Sequence, residues 1–261
     1  MRTVVVGASS GLGRCIGVGL AQRGSSVALM ARRLDNLKAA AEEAGPEAYP
    51  IECDVTDSAS CYSAIDEAVA KLGGIDSLVY TPAIGHLARL VDHDADAWRR
   101  VFDTNVTGAA IITAAALPHL EASGGRAVYL SSVSASQTPP WPGLGSYAVS
   151  KAALDKLVEA WRAEHPQIGF TRLVVGDCAG GEGDGMTQFT TGWDSELAGE
   201  MVTEWVNKGY IAGSLIDVNE LVGAVDAVLR AGATVNMPSV VVAPRMSVAG
   251  DNSRESRQAA S

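Results

Sequence analysis

Tyr147 and Lys151 stand four residues apart in SYAVSK, at the opening of a stretch with helical character. Residues at that interval share one helix face, so a phenol and an ammonium can point into one site. A lysine beside a tyrosine favours the phenolate and draws its pKa down from about 10. That suits the phenol to general acid–base work. Upstream, AVYLSS ends in Ser131 and Ser132, and Ser134 follows two residues later. Either Ser132 or Ser134 can hydrogen-bond a substrate oxygen as charge develops on it, and alignment on the strand end favours Ser132.

A second group of residues points to a nucleotide. The strand-like Arg2–Val6 leads into GASSGLG, Gly7 to Gly13, and then into a helix from about Leu12 to Arg23. Glycines permit a tight turn and a close approach by an anion, and free N–H groups at a helix start point toward it. Gly7, Ser9, Ser10, Gly11, Leu12 and Gly13 are the candidate contacts. The second strand, VALMA, ends in Ala31-Arg32-Arg33. A carboxylate there would accept from a ribose 2′-hydroxyl, whereas Arg32 and Arg33 can pair with a 2′-phosphate. The expected cofactor is therefore NADP, with NADPH preferred over NADH. Asp54 and Val55, after the third strand, fit an adenine edge.

The elements that must hold these groups alternate regularly. Short apolar strands ending near Val6, Ala31, Cys53, Tyr80, Ser132 and Val175 are separated by helical segments, and PSVVVAP makes a last strand. That rhythm specifies βαβ units, hence an α/β fold with a doubly wound parallel sheet covered by helices on both faces. A long helix is expected from about Ala95 to Leu120, ending near Pro118 and the following Ser-Gly-Gly, and another from Tyr147 to Ala163. One domain is expected over residues 1–246, with a Gly-rich substrate loop at about 177–210 and a frayed tail at 247–261.

The chain has 261 residues and a formal charge of -10 from 20 basic and 30 acidic side chains. That balance argues against a non-specific nucleic-acid partner. Cys15, Cys53, Cys61 and Cys178 read as free thiols, and neither they nor the histidines have metal-ligand spacing. The first strand is too short for a signal peptide, and no window approaches the ~20 apolar residues of a membrane span. The expected setting is cytoplasmic, without a membrane partner.

Taken together, GASSGLG, CDVTD, DTNVTG, the paired serines and YAVSK resemble the short-chain dehydrogenase/reductase family, most strongly over Met1 to Val175. The resemblance implies a Rossmann-type domain of about seven strands, in a homodimer or homotetramer whose main interface uses the helices from Ala95 and Tyr147. It also implies roles. Tyr147 exchanges a proton with the carbonyl or alcohol oxygen, and Lys151 holds the ribose hydroxyls and depresses the tyrosine. Ser132 binds the substrate oxygen, while the Asn105 backbone anchors a water relay to Lys151.

The departures from the family pattern are as specific as the matches. Where the family has NNAG, this chain has Tyr80-Thr81-Pro82-Ala83, with Thr81 a substitute polar contact and Pro82 and Ala83 beside the cofactor. Pro-Gly after strand six becomes Val175-Gly176, and Gly176 keeps the turn. Pocket walls are expected from Ser134, Trp141, Leu144, Met186 and Phe189, with Ile84, Pro140 and Trp193 nearby. The implied activity is NADP(H)-dependent oxidation or reduction of a small hydrophobic carbonyl or alcohol. An isomerase or dehydratase with bound nucleotide and a non-catalytic nucleotide-binding protein are the alternatives.

Overall fold

The computed structural model describes residues 1–178, 180, 189–211 and 213–245. Its strands are β1 (Arg2–Val6), β2 (Ser26–Ala31), β3 (Ala48–Glu52), β4 (Ser77–Tyr80), β5 (Arg126–Ser132), β6 (Gly169–Val175) and β7 (Ser239–Val242). They form one seven-stranded sheet in the order β3-β2-β1-β4-β5-β6-β7, and every pairing is parallel. The helices are α1 (Gly11–Gln22), α2 (Leu34–Ala44), α3 (Ser58–Leu72), α4 (Ala95–Phe102) and α5 (Gly108–Ser123), then α6 (Val133–Ser136), α7 (Gly145–Glu164), α8 (Ser195–Asn207) and α9 (Val218–Leu229).

Side-chain alternation explains why both faces are covered. Val4 and Val6 of β1 enter the core beneath α3, α5 and α7, while Val5 enters the opposite core with Ile16, Leu20, Leu37 and Leu221 from α1, α2 and α9. With a side-chain period of two, an unbroken Val-Val-Val run buries on both sides. Pro50 lies within β3, which is tolerated because β3 is an edge strand and needs no N–H on its outer side. Asp57 caps α3 by accepting from the Ala59 N–H at 2.9 Å.

The long helix departs from expectation in two ways, although it stops at the expected Ser-Gly-Gly, with Ser123 its last residue and Gly124 at φ +60°. Residues Asp103–Thr107 form a π-helical turn between α4 and α5, so one extra residue per turn shifts the buried face midway. Finally, Ala95–Ser123 is long and apolar enough by composition to cross a membrane, contrary to the expectation that no such window exists. The sheet accounts for that composition: Ala109, Ile112, Ala116 and Leu120 are fully buried in the core against β4 and β5.

Candidate active site

The sheet order reverses direction between β1 and β4, and a crevice opens beyond the carboxyl ends of strands at such a point. A cavity of about 670 Å³ lies there. It collects residues far apart in sequence: Gly7, Ser9, Ser10, Gly11, Leu12 and Gly13; Arg32 and Arg33; Asp54 and Val55; Thr81, Pro82 and Ala83; and Gly176. Ser132, Ser134, Trp141, Leu144, Tyr147, Lys151 and Phe189 line the same space, as does Ile84, whereas Pro140 and Trp193 stand outside it. Met186, together with the glycines and acids of residues 181–185 and Thr187, lies outside the described residues.

At the nucleotide end, α1 starts at Ser10 in extended conformation, and no side chain caps its first turn. Uncapped N–H groups at a helix start suit an anion. Arg33 donates to the hydroxyls of Ser9 (2.9 Å) and Ser10 (2.6 Å), bracing the turn. Arg32 is exposed on the cavity rim. Burial works to raise the Asp54 carboxyl, but bonds from the Thr56 N–H and hydroxyl, with Arg32 nearby, hold it below its ordinary value. These features together fit a dinucleotide bearing a 2′-phosphate.

Close approach by the protein itself explains two of the turn's glycines. Thr81 donates its hydroxyl to the Val6 carbonyl at 2.6 Å and so sits inside the turn. A Cβ on Gly13 would lie 2.8 Å from the Gly7 carbonyl carbon, and closer still to Gly7 O and Thr81 Oγ1. Gly7, at φ +85°, would meet the same threonine. Thr81 thus ties the β4 loop to the glycine turn. Tyr80, fully buried, donates its hydroxyl to the Thr104 carbonyl in the π turn.

At the chemical end, α7 begins just before Tyr147 and directs Tyr147 and Lys151 at β5. Lys151 is 2% exposed, and its Nζ donates to the Leu130 carbonyl at 2.6 Å. It sits 5.8 Å from the centre of the Tyr147 ring. Burial lowers the ammonium to about 8, with Asp155 opposing the fall. The expectation that Lys151 depresses the tyrosine is not met: burial pushes Tyr147 up to about 12, and the Ser132 hydroxyl is the opposing influence. The physical reason is burial: the ring packs edge-on against Phe189 and among Leu87 and Leu144, where a phenolate would be poorly solvated.

The two serines stand together: both line the cavity, their hydroxyls are 2.9 Å apart, and the Ser132 hydroxyl works against the rise of the Tyr147 phenol. Asn105 does not line the cavity. Its side chain exchanges bonds with Ile84, accepting from the N–H at 2.9 Å and donating to the carbonyl at 3.0 Å. It also donates to Ser150 at 2.9 Å, and Ser150 donates to the Tyr147 carbonyl at 2.7 Å. Asn105 therefore fastens the β4 loop to the start of α7 through its side chain, a link that no spacing in the sequence signals.

An aromatic array closes the substrate side. Phe189 meets the Tyr147 ring edge-on at 4.9 Å, and the Trp193 indole N–H donates to the Gly85 carbonyl at 2.9 Å. Trp141 stacks near Trp205 (5.1 Å) and Tyr210 (6.0 Å). Leu87, Leu144 and Met201 pack among these rings. No group of three metal-ligating side chains occurs among the described residues.

Comparison with known proteins gives a consistent result. The family model described as short chain dehydrogenase matches residues 2–181. A short chain dehydrogenase of Pseudocercospora fijiensis is 38% identical over 167 residues, covering 62% of this chain and 53% of that protein. The 11-beta-hydroxysteroid dehydrogenase A of Sesamum indicum is 34% identical over 179 residues, covering 66% of this chain and 51% of its own. The chain thus spans about half the length of these two curated relatives. A crystal structure of a short-chain type dehydrogenase/reductase from Mycobacterium marinum superposes with a TM-score of 0.80 at 27% identity over 93% of each chain. An alcohol dehydrogenase from the archaeon Thermococcus sibiricus, solved with 5-hydroxy-NADP, shares the fold with a TM-score of 0.76 at 23% identity, over 92% of this chain and 94% of that one.

Proposed function

The chain belongs to the short-chain dehydrogenase/reductase family, and on that footing we propose that it is an NADP(H)-dependent oxidoreductase acting on a carbonyl or alcohol of a small hydrophobic metabolite. The observation that carries this reading is convergence: Tyr147, Lys151 and Ser132 line the same cavity as the uncapped start of α1 and the two arginines after β2. The first turn of α1 would hold the pyrophosphate, Arg32 and Arg33 the 2′-phosphate, and Lys151 the ribose hydroxyls. A bound nicotinamide nucleotide supplies the hydride donor or acceptor.

The residues divide the remaining work. Ser132 orients the substrate oxygen and Tyr147 exchanges its proton. With Tyr147 near 12 and Lys151 near 8, the phenol is protonated and the ammonium charged at neutral pH. That is the state needed to donate a proton in the reductive direction. Trp141, Leu144 and Phe189 give the substrate an apolar enclosure that excludes water from the reacting groups. The family footing extends to a homodimer or homotetramer through α5 and α7, where Ile111 and Leu117 are half-buried and Val149 is exposed.

A panel of hydrophobic ketones and aldehydes, assayed with NADPH and NADH in parallel by nicotinamide absorbance, tests the reading. Tight nucleotide binding without turnover on any of them would defeat it. Cofactor choice is tested by Arg32→Ala, in which loss of a charge-assisted bond should weaken NADPH binding by about ten- to hundredfold and leave NADH binding nearly unchanged. Equal weakening of both would remove Arg32 from 2′-phosphate recognition.

A further inference from the structure

The loop after β4 carries a notch. A Cβ on Gly85 would lie 2.6 Å from Phe189 Cε2 and 3.2 Å from Cε1, and closer still to Cζ. Gly85 has no positive φ, so what glycine supplies here is close approach rather than an unusual backbone conformation. The notch is held in place by its neighbours. Asn105 bonds both the N–H and the carbonyl of Ile84, and the Trp193 indole N–H donates to the Gly85 carbonyl at 2.9 Å. The Trp193 ring also meets Phe189 edge-on at 5.5 Å. Phe189 is thereby seated between a fixed stretch of backbone and the Tyr147 ring, whose centre is 4.9 Å away.

We propose that Gly85 and Phe189 together set the size of substrate: the ring in the Gly85 notch borders the reacting carbonyl and admits only hydrogen or methyl on that side. The inference rests on the oxidoreductase reading for its reaction. A carbonyl oxygen bonded to the Tyr147 phenol lies alongside a ring already in edge contact with that phenol, so a large group there would have to displace Phe189. The other substituent has different walls. Trp141 and Leu144 line the same cavity, and the ring partners of Trp141 are Trp205 and Tyr210 rather than Phe189. The substrate class is therefore an aldehyde or methyl ketone with one large apolar arm.

Two isomeric ketones test this, methyl heptyl ketone and dibutyl ketone, which share a formula but place methyl or butyl beside the carbonyl. Wild type should favour the methyl ketone by about 10- to 200-fold in kcat/KM, the range for small steric mismatches in an apolar pocket. Phe189→Ala should remove most of that preference by accelerating dibutyl ketone, and Phe189→Leu serves should the Ala variant fail to fold. Gly85→Ala should alter the preference when Phe189 is present and have no effect when Phe189→Ala accompanies it, the non-additivity of residues in contact. Binding of each ketone with NADP present, followed by tryptophan fluorescence, repeats the comparison without a reaction. Equal preference in wild type, binding of neither ketone, or an unchanged preference in a folded Phe189 variant overturns the proposal. An effect of Gly85→Ala that ignores Phe189 removes Gly85 from the pair. Binding that discriminates as expected, without turnover of either ketone, defeats the oxidoreductase reading alone.

Discussion

Tyr147→Phe should lower carbonyl reduction by about 10²- to 10⁴-fold, the range lost with a positioned general acid, while NADPH binding stays close to wild type. Phe keeps the ring that packs edge-on against Phe189, so the cavity wall survives and only the proton is removed. The pH dependence of the unaltered protein adds a signed check. Tyr147, pushed up to about 12 by burial, stays protonated through neutral pH. Lys151, lowered to about 8, stays charged below that value and loses its charge as pH rises through it. Steady-state reduction should therefore be level through neutral pH and fall above about 8. Activity in the Phe variant equal to wild type would remove Tyr147 as proton donor.

Gly13→Ala should cost about 1–3 kcal/mol of stability, the usual penalty for overpacking, and abolish nucleotide binding. The added methyl collides with the Gly7 carbonyl and with Thr81 Oγ1. The carbonyl belongs to the backbone and cannot swing away, so Thr81→Ala in the same protein should rescue only part of the loss. Gly199→Ala makes the control. It lies in α8 with nothing within 4 Å of the new Cβ, so removing glycine's conformational freedom there should stabilise by about 0.4–1 kcal/mol. Thermal denaturation with NADPH titration of each variant decides the matter. A Gly13→Ala protein as stable as wild type would show that the turn is looser than its packing indicates.

The β1–β6 framework was readable because buried parallel strands are written as short apolar runs, each followed by a polar or glycine stop. Tyr147, Lys151, Arg32 and the glycine turn were readable because their chemistry is local. What escaped was tertiary. The Asn105 side chain joins Ile84 to Ser150 across a π turn, and no periodicity announces either partner. Burial, which no spacing records, outweighs any pull of Lys151 on the Tyr147 phenol.

The aromatic array over the cavity also has an optical consequence. Three of the five tryptophans, Trp141, Trp193 and Trp205, stand within 6.4 Å of a neighbour in that array. Excitation absorbed by one can pass to the others, and Trp193 reaches Tyr147 through Phe189. A substrate entering against Trp141 should therefore change tryptophan fluorescence without a label. Candidate ligands can be ranked by that signal before any turnover assay exists for them.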